Sequence, residues 1–472
     1  GAGDGMKKKK IVLSVLLAVL AVLIIGTYVV VALYFQRHFY SETTVNGIDC
    51  SYMTADQVKE LLREQVQSYQ LTLKERNDQQ EVLTADQLQL SYQDNGEVEQ
   101  LLKDQESWFW AKEIFQNRSH ELEVSMNLSD EALGETVDGL TAMQAENVTA
   151  PQDAAITSDE NGYSVSPEIE GNQLDREAVI AAIKEAVASD ASELDLDAAG
   201  CYVRPSVLQD DETLNNRVNQ LNQLTSASLT MDFGSGRSET VGRTQLMQWV
   251  TQDESGNDVI DSAQVTAYVQ SLADKYDTVG KHTFTTTGGR SVELSKGDYG
   301  WTMDVETTAS ELLEAINAGQ QGSFEVTYTD TAKSRDSNDI GDSYIELSID
   351  QQTLWCYVDG ELIVESPVVT GCVNNGTETP KGGVWKVKSK TSPYTMKGKP
   401  DENGEPSYVE NVTYWIPYTE DFTIGFHDLA SRTAFGGDIY ITNGSHGCVN
   451  MPLDAVAKIY EVVAYGFPVV GY

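Results

Sequence analysis

The sequence predicts an α+β architecture in three parts: one N-terminal transmembrane helix, two α+β modules, and a mainly-β C-terminal domain. Three observations predict this order. A long apolar segment precedes residue 36, amphipathic helices alternate with strands as far as about residue 330, and closely spaced strand patterns follow. With 472 residues, the chain is also too long for a single core, because domains contain roughly 150 residues.

The apolar segment, residues 11–35, contains no charged residue. A run of about 20 apolar residues spans a bilayer, whereas the apolar part of a secretory signal is usually about 7–15 residues long. Lysines occupy positions 7–10, and positive charge stays on the cytoplasmic side of a membrane. We therefore expect residues 1–10 to be a cytoplasmic tail, 11–35 to be an uncleaved single-pass anchor, and the remainder to lie outside the cell membrane. Cleavage of the segment as a signal is the alternative.

The five residues before Met6 resemble an artificial extension, so Met6 is the expected natural start. Residues 1–10 carry a net charge of +3, so the other 462 residues carry −44. Such an acidic chain argues against nucleic-acid binding and against electrostatic docking on anionic lipid, because both require Lys and Arg clusters.

The two α+β modules are expected at residues 41–210 and 211–330. Each of their helices begins at a residue that can cap the first turn. The capping signals are Thr54 with Gln57, Asp175, Asp261, and Thr308 with Glu311. Strand-like stretches lie between the helices, at residues 69–73, 163–165 and 324–328.

A polar stretch at residues 331–343 has the composition of a linker, and the C-terminal domain follows at 344–472. Strands are expected at residues 344–349, 353–358, 361–369 and 383–388, with turn signals at 359–360, 375–376 and 380–383. One amphipathic helix is expected at residues 453–464.

The chain contains five cysteines, an odd number, so at least one thiol is free or intermolecular. Cys356 and Cys372 flank the turn at 359–360, but counting outward from that turn places Cys356 opposite about Ile363. We predict no specific disulfide bond.

One cysteine lies in a setting suited to nucleophilic catalysis. Cys448 follows His446 by two residues and His427 by 21, in a segment rich in glycine. An imidazole can take the proton of a thiol, and Gly447 leaves backbone N–H groups free to face a developing oxyanion. A buried structural cysteine is an equally open reading, and a zinc site with both histidines lacks a fourth ligand at metal-site spacing. From chemistry alone the two histidines are not ranked, although proximity favours His446.

The sequence from His427 through residues 435–437 to 445–450 resembles the catalytic signature of the L,D-transpeptidases, with a YkuD-type domain. Residues 349–354, 369–371, 379–383 and 466–469 resemble further landmarks of that family. Sortases need an arginine downstream of the cysteine, and no arginine follows Cys448. Papain-like enzymes place the cysteine before the histidine, which is the reverse of the order here. In the anterior part, residues 44–54, 170–175 and 297–301 resemble a peptidoglycan-binding domain of Gram-positive wall proteins, although a plain spacer would explain them nearly as well.

The resemblance implies a mainly-β YkuD-like domain that catalyses a two-step acyl transfer without a metal or organic cofactor. Cys448 would attack a peptidoglycan stem peptide to give a thioester, which an amine of a second stem resolves into a 3→3 cross-link. His427 would be the proton acceptor and donor. His446, Gly447 and Ser445 would line the site and position the oxyanion.

The resemblance also implies donor and acceptor stem peptides as partners, acylation by carbapenems, and action at the cell wall in wall biogenesis and cell shape. Candidate substrate-binding residues are Asn450, Gly436, Gly437 and Tyr414. Residues 394–400 and 401–407 have loop composition where the family has a flap. Lysines between Lys381 and Lys399 could face wall carboxylates or simply form a solvated surface. An L,D-carboxypeptidase using the same thioester, or an inactive wall-binding scaffold, are the alternatives.

Overall fold

In the computed structural model, which describes residues 2–472, the apolar segment is one continuous helix, α1 (Ala2–Phe35). Residues 3–35 are long and apolar enough to cross a membrane, and by the same measure they fit a signal sequence. The C-terminal end of α1 is fixed to the folded chain because the Gln105 side chain donates hydrogen bonds to the carbonyls of Phe35 (3.0 Å) and His38 (2.8 Å).

The chain divides into two compact units, residues 1–155 with 165–214 and residues 156–164 with 215–472. After α1, short 3₁₀ turns occur at Arg76–Asp78, Ser107–Phe109, Thr141–Met143 and Ala145–Asn147. The regular elements as far as residue 195 are β1 (Thr43–Val45), β2 (Ile48–Asp49), α2 (Ala55–Gln67), β3 (Gln70–Lys74), β4 (Gln80–Thr84), β5 (Ser91–Tyr92), α3 (Glu97–Asp104), α4 (Trp110–Glu113), β6 (Arg118–His120), β7 (Met126–Asn127), α5 (Asp130–Asp138), β8 (Ala155–Asp159), β9 (Gly162–Ser166), α6 (Arg176–Ala188) and β10 (Glu193–Asp195).

The elements that follow, to residue 330, are α7 (Glu212–Leu224), β11 (Ser228–Asp232), β12 (Ser238–Val241), α8 (Arg243–Gln248), β13 (Val250–Gln252), β14 (Asp258–Ile260), α9 (Ser262–Tyr276), β15 (His282–Thr285), β16 (Ser291–Leu294), β17 (Thr302–Met303), α10 (Val305–Asn317), β18 (Gln321–Ser323) and β19 (Tyr328–Asp330). The two anterior regions share one plan. In each, an antiparallel hairpin (β3–β4 or β11–β12) receives a third strand in parallel (β10 or β18) after a helix (α6 or α10). Their buried apolar residues form separate cores.

Three of the four predicted caps are confirmed. Thr54 and Gln57 form a reciprocal capping box, and Asp175 and Asp261 accept hydrogen bonds from the first turns of α6 and α9. The prediction that Thr308 opens a helix is wrong.

Helix α10 begins earlier, because Asp304 caps it by accepting from the Thr307 N–H at 3.0 Å. Thr308 is instead fully buried, and its hydroxyl donates to the Thr327 carbonyl at 3.2 Å. The strand expected at 324–328 is also wrong, since β18 ends at Ser323 and β19 begins at Tyr328.

The C-terminal region is mainly β, as predicted. Its elements are β20 (Tyr344–Ser348), β21 (Thr353–Val358), β22 (Glu361–Pro367), β23 (Gly383–Lys386), β24 (Tyr394–Lys397), β25 (Val409–Val412), β26 (Trp415–Pro417), β27 (Gly425–Asp428), α11 (Ile439–Asn443), β28 (Val449–Met451), α12 (Leu453–Val462) and β29 (Pro468–Gly471). A five-stranded sheet in the order β22-β21-β20-β29-β23 and a three-stranded sheet β26-β27-β28 enclose one core with α12.

The hairpin between β21 and β22 turns at Asp359 and Gly360, both with positive φ (49° and 81°), as a two-residue hairpin turn requires. Cys356 pairs with Val364 rather than with Ile363, because the register shifts by one residue between Cys356 and Tyr357.

The lysines between 381 and 399 are not a single surface. Lys386 Nζ lies 2.6 Å from the Asp330 carboxylate, and Lys388 forms an ion pair with Asp298. The Lys388 side chain is only 6% exposed. These two lysines therefore face carboxylates of this chain rather than solvent or wall peptides.

Candidate active site

The sheet β26-β27-β28 brings together residues that are far apart in sequence. His427 on β27 lies beside Asn450 on β28 in parallel register, and beside Trp415 on β26 in antiparallel register. Cys448 immediately precedes β28. Because β28 pairs with β27, the strand pairing brings the thiol close to the strand that holds His427, although 21 residues separate them in the chain.

The turn before Cys448 requires a glycine. Gly447 has a φ of +125°, and a Cβ at this position would lie 2.5 Å from the Cδ1 of Ile424. Its carbonyl accepts a hydrogen bond from the Thr379 hydroxyl at 2.7 Å, and that hydroxyl accepts one from the Gly371 N–H at 2.9 Å. Thr379 is 3% exposed, so a buried side chain holds the turn from behind.

Ser445 closes the same turn from within. Its hydroxyl donates to the Cys448 carbonyl and accepts from the Gly447 N–H at 3.1 Å. The Gly447 N–H is thus already bonded to the Ser445 hydroxyl and is not itself free to face an oxyanion.

Cys448 is 8% exposed, and its thiol donates to the Thr423 carbonyl at 3.4 Å. Burial raises the pKa of the thiol to about 11, against the opposing effect of a hydrogen bond from the Gly425 backbone. At neutral pH the resting Cys448 side chain is therefore a thiol and not a thiolate.

His427 is 5% exposed, and its Nδ1 lies 2.7 Å from the Asp428 carbonyl oxygen. A carbonyl only accepts, so Nδ1 carries the hydrogen and Nε2 of the neutral ring is a hydrogen-bond acceptor. Nε2 lies 3.2 Å from the Asn450 amide nitrogen. Burial lowers the pKa of His427, although its hydrogen bond to Asp428 opposes the shift. At neutral pH the ring is thus uncharged and able to accept a proton.

Asn450 is 1% exposed and is anchored through its backbone, which exchanges hydrogen bonds with Val369 at 2.9 and 3.0 Å. Its side-chain nitrogen faces His427, and its Oδ1 has no hydrogen-bond partner among residues 2–472. A buried amide oxygen without a partner is costly.

A cavity of about 160 Å³ opens at these residues. Strands β24 and β25 form an antiparallel hairpin over it, so the flap expected at 394–407 begins as a paired strand rather than as a loop. Tyr408 of this hairpin stacks on the ring of His446, with centroids 5.2 Å apart. The lining residues are Met396, Tyr408, Glu410, His427, Leu429, Arg432, Gly444, Ser445, His446, Cys448 and Asn450.

Of the candidates from sequence, Cys448, His427, His446, Ser445 and Asn450 all line the cavity, and Gly447 forms the turn behind it. The other three candidates do not line it. Gly436 donates from its backbone to the Val368 carbonyl at 3.0 Å, Gly437 is exposed, and Tyr414 packs on Tyr460.

Sequence reasoning missed Arg432, Glu410, Thr379 and the backbone of Asp428. Arg432 lines the cavity, and its Nε is buried without a partner among the described residues, while Nη1 donates to the Asn443 carbonyl at 3.0 Å. Burial lowers its pKa. A cation five residues after His427 was the one available signal.

Residues 342–470 match the family model of the L,D-transpeptidase catalytic domain, YkuD. Residues 69–195 and 245–325 match that of the putative peptidoglycan binding domain. A solved structure of the Ldtfm–avibactam carbamoyl enzyme is 31% identical over 55% of this chain and 98% of that chain, with a TM-score of 0.46. The chain belongs to the L,D-transpeptidase family.

Two further structures are similar to this L,D-transpeptidase. A mutant L,D-transpeptidase of Enterococcus faecium is 30% identical over 56% of this chain and 100% of that chain, with a TM-score of 0.45. The catalytic domain of the E. faecium enzyme acylated by ertapenem is 36% identical over 28% of this chain and 98% of that chain, with a TM-score of 0.25. A search of curated proteins finds no match. Both resemblances noted from the sequence are confirmed.

Within residues 2–472, no group of three or more His, Cys, Asp or Glu side chains is arranged to hold a metal ion.

Proposed function

We propose that this L,D-transpeptidase is a membrane-anchored enzyme that forms 3→3 peptidoglycan cross-links outside the cell through a thioester on Cys448. The observation that carries the proposal is the joint placement of Cys448 and His427 at one cavity, with the histidine held in one tautomer by the Asp428 carbonyl. That tautomer leaves Nε2 as the proton acceptor, as a general base requires.

In the first step, the Cys448 proton passes to His427 Nε2 while the sulfur attacks the carbonyl of the third stem residue. The C–N bond to the terminal D-Ala then breaks, the imidazolium returns the proton to the departing amine, and a thioester remains. Protonated Nε2 needs an acceptor in place of a donor. The Asn450 amide supplies one if it rotates, because its Oδ1 is unpartnered.

In the second step, an amine of another stem attacks the thioester carbonyl and gives up a proton to His427. The C–S bond breaks, and the sulfur recovers its proton. Attack by water in place of the amine would give a carboxypeptidase. Arg432 fits a carboxylate of either stem, since its buried Nε has no partner among the described residues and would gain a charge-assisted hydrogen bond.

The anchor is supported by helix α1, which is uncharged from Ile11 to Phe35 and joined to the folded chain at Phe35. Segments that match a peptidoglycan-binding domain support wall contact by the anterior region. Both features agree with substrate that lies outside the membrane.

The test is intact-protein mass spectrometry after exposure to a carbapenem, since a related catalytic domain is described as acylated by ertapenem. Wild type should gain one drug mass, Cys448→Ala none, and Cys356→Ala, which removes another buried thiol of the same domain, should react like wild type. If Cys448→Ala still gains the mass, or wild type does not, the catalytic assignment is wrong. Incubation with disaccharide tetrapeptide then separates dimer formation from trimming to tripeptide.

A further inference from the structure

A short aromatic segment lies against the membrane helix. Residues 107–115, with the sequence SWFWAKEIF, comprise a 3₁₀ turn and helix α4, and we call them the aromatic ledge. The Tyr28 hydroxyl donates to the Trp108 carbonyl at 2.6 Å, and Trp110 Nε1 donates to the Tyr28 carbonyl at 3.1 Å. The rings of Tyr28 and Trp110 are 5.3 Å apart. These contacts fix the ledge beside α1 at the level of Tyr28.

The ledge exposes large apolar side chains. Trp108 is 48% exposed, Phe109 56% and Phe115 87%. Contiguous exposed aromatic surface marks an interaction site on a folded protein. The carboxylate of Glu113 is paired with Arg118, so Lys112 is the ledge's other charged side chain. Its long stem can extend to water from an apolar surface.

The height of the ledge can be worked out from the helix. Tyr28 is 17 residues beyond Ile11, the first residue of the apolar run, which is about 26 Å along a helix that rises 1.5 Å per residue. The hydrocarbon core of a bilayer is about 30 Å thick, so Tyr28 lies near its outer edge when Ile11 lies at the inner edge. Trp and Tyr side chains are enriched at this level because they combine an apolar ring with a polar group.

The connection between the helix and the ledge is rigid. Gln105, two residues before the ledge, donates to the carbonyls at the end of α1, and the Tyr40 N–H donates to Gln105 Oε1 at 2.8 Å. Phe35 and Tyr40 are buried and 4.8 Å apart at their ring centroids. The ledge therefore does not move independently of α1.

We propose that the aromatic ledge is a second membrane contact, with Trp108, Phe109 and Phe115 inserted in the outer interface of the bilayer that α1 spans. The partner is lipid, because the ledge lies beside the membrane helix at interfacial height. Attraction is apolar rather than electrostatic, since the chain outside residues 1–10 carries a net charge of −44. This inference rests on the proposed anchoring by α1.

The experiment measures depth in liposomes with the full-length chain in a Cys448→Ser background. Because the other four cysteines are buried, an environment-sensitive fluorophore can be directed to one introduced thiol. A label on Gln116→Cys reports the depth of the chain next to the ledge, and a label on Val22→Cys reports the depth of the middle of α1. The control label is on Val82→Cys, a strand residue that is 48% exposed, as Trp108 is. Quenching is read with lipids that carry a quencher near the headgroup and with aqueous iodide.

We expect the lipid-borne quencher to quench the label at position 116 several-fold more strongly than the label at 82. The double substitution Phe109→Ser with Phe115→Ser should abolish this difference without changing the quenching of the label at 22. If the labels at 116 and 82 behave alike while the label at 22 is lipid-quenched, the ledge proposal is wrong and anchoring stands. A label at 22 that is not lipid-quenched overturns the anchoring itself. Protection at 116 from iodide that grows with protein density, without lipid quenching, would assign the ledge to a second copy and overturn the lipid contact.

Discussion

The substitution Thr379→Val tests whether a buried hydroxyl behind the catalytic turn positions the nucleophile. The change keeps the shape of the side chain but removes a group that donates to the Gly447 carbonyl and accepts from the Gly371 N–H. Leaving a buried donor or acceptor unpaired costs about 1–3 kcal/mol. With two such groups affected and partial relaxation, we expect the free energy of unfolding to fall by about 2–4 kcal/mol.

The same change should slow acylation, because Gly447 precedes Cys448 and its turn sets the position of the sulfur. A displacement of about 1 Å can cost about 100-fold in rate, so we expect the rate constant of carbapenem acylation to fall by about 10–100-fold. The assay is stopped-flow acylation of the full chain, alongside denaturant unfolding. Thr353→Val, on β21, is the control, since its partly exposed hydroxyl makes one local bond to the Gln351 carbonyl. An unchanged acylation rate in a destabilised Thr379→Val protein would refute a positioning role.

Three further predictions concern the C-terminal domain. Burial lowers the pKa of His427 below 6.5 and raises that of Cys448 to about 11. The acylation rate should therefore be constant across neutral pH and fall as acid protonates the imidazole. A tenfold rise in rate per pH unit through neutrality would instead indicate that preformed thiolate limits the rate. Arg432→Gln should raise KM for a tetrapeptide donor about tenfold through loss of a charge-assisted bond. Arg204→Gln, which removes an exposed ion pair with Asp197 in the other compact unit, should not. Tyr418→Phe removes a buried hydroxyl with no partner among the described residues, so the free energy of unfolding should stay the same or rise by about 1 kcal/mol. A lower acylation rate in that variant would show that substrate uses the hydroxyl, and an unchanged rate would show that it does not.

The sequence predicted those elements whose signals are local. The capping box at Thr54 and the turn at 359–360 depend on residues within one turn of chain, and both form as expected. Thr308 failed for a tertiary reason. It carries a good capping side chain, but Asp304 caps the helix first, and Thr308 then bonds to Thr327 from another segment.

At the site, residue types identified Cys448 but did not rank the histidines. His446 is closer in sequence, yet it is exposed and stacked on Tyr408, whereas strand pairing buries His427 beside Asn450. That distinction depends on the register of β27 and β28, which no short motif encodes. Arg432 was missed for a similar reason, since one arginine in a loop carries no pattern until the fold places it at the cavity.

Burial of the reacting pair has a chemical consequence. Both Cys448 and His427 are neutral at rest, so the thiolate–imidazolium pair of the proposed mechanism would form in a cavity that disfavours charge. Within residues 344–472, the buried side-chain polar atoms that lack a partner are Tyr418 Oη, Arg432 Nε and Asn450 Oδ1. Two of them line the cavity, and burial, with a smaller contribution from Cys448, raises the pKa of the third, Tyr418. Unpaired buried groups cost stability, and a substrate that paired with these three would gain hydrogen bonds that the described residues do not supply. In the proposed mechanism, these polar groups would meet charge that appears only after the stem peptide has excluded water.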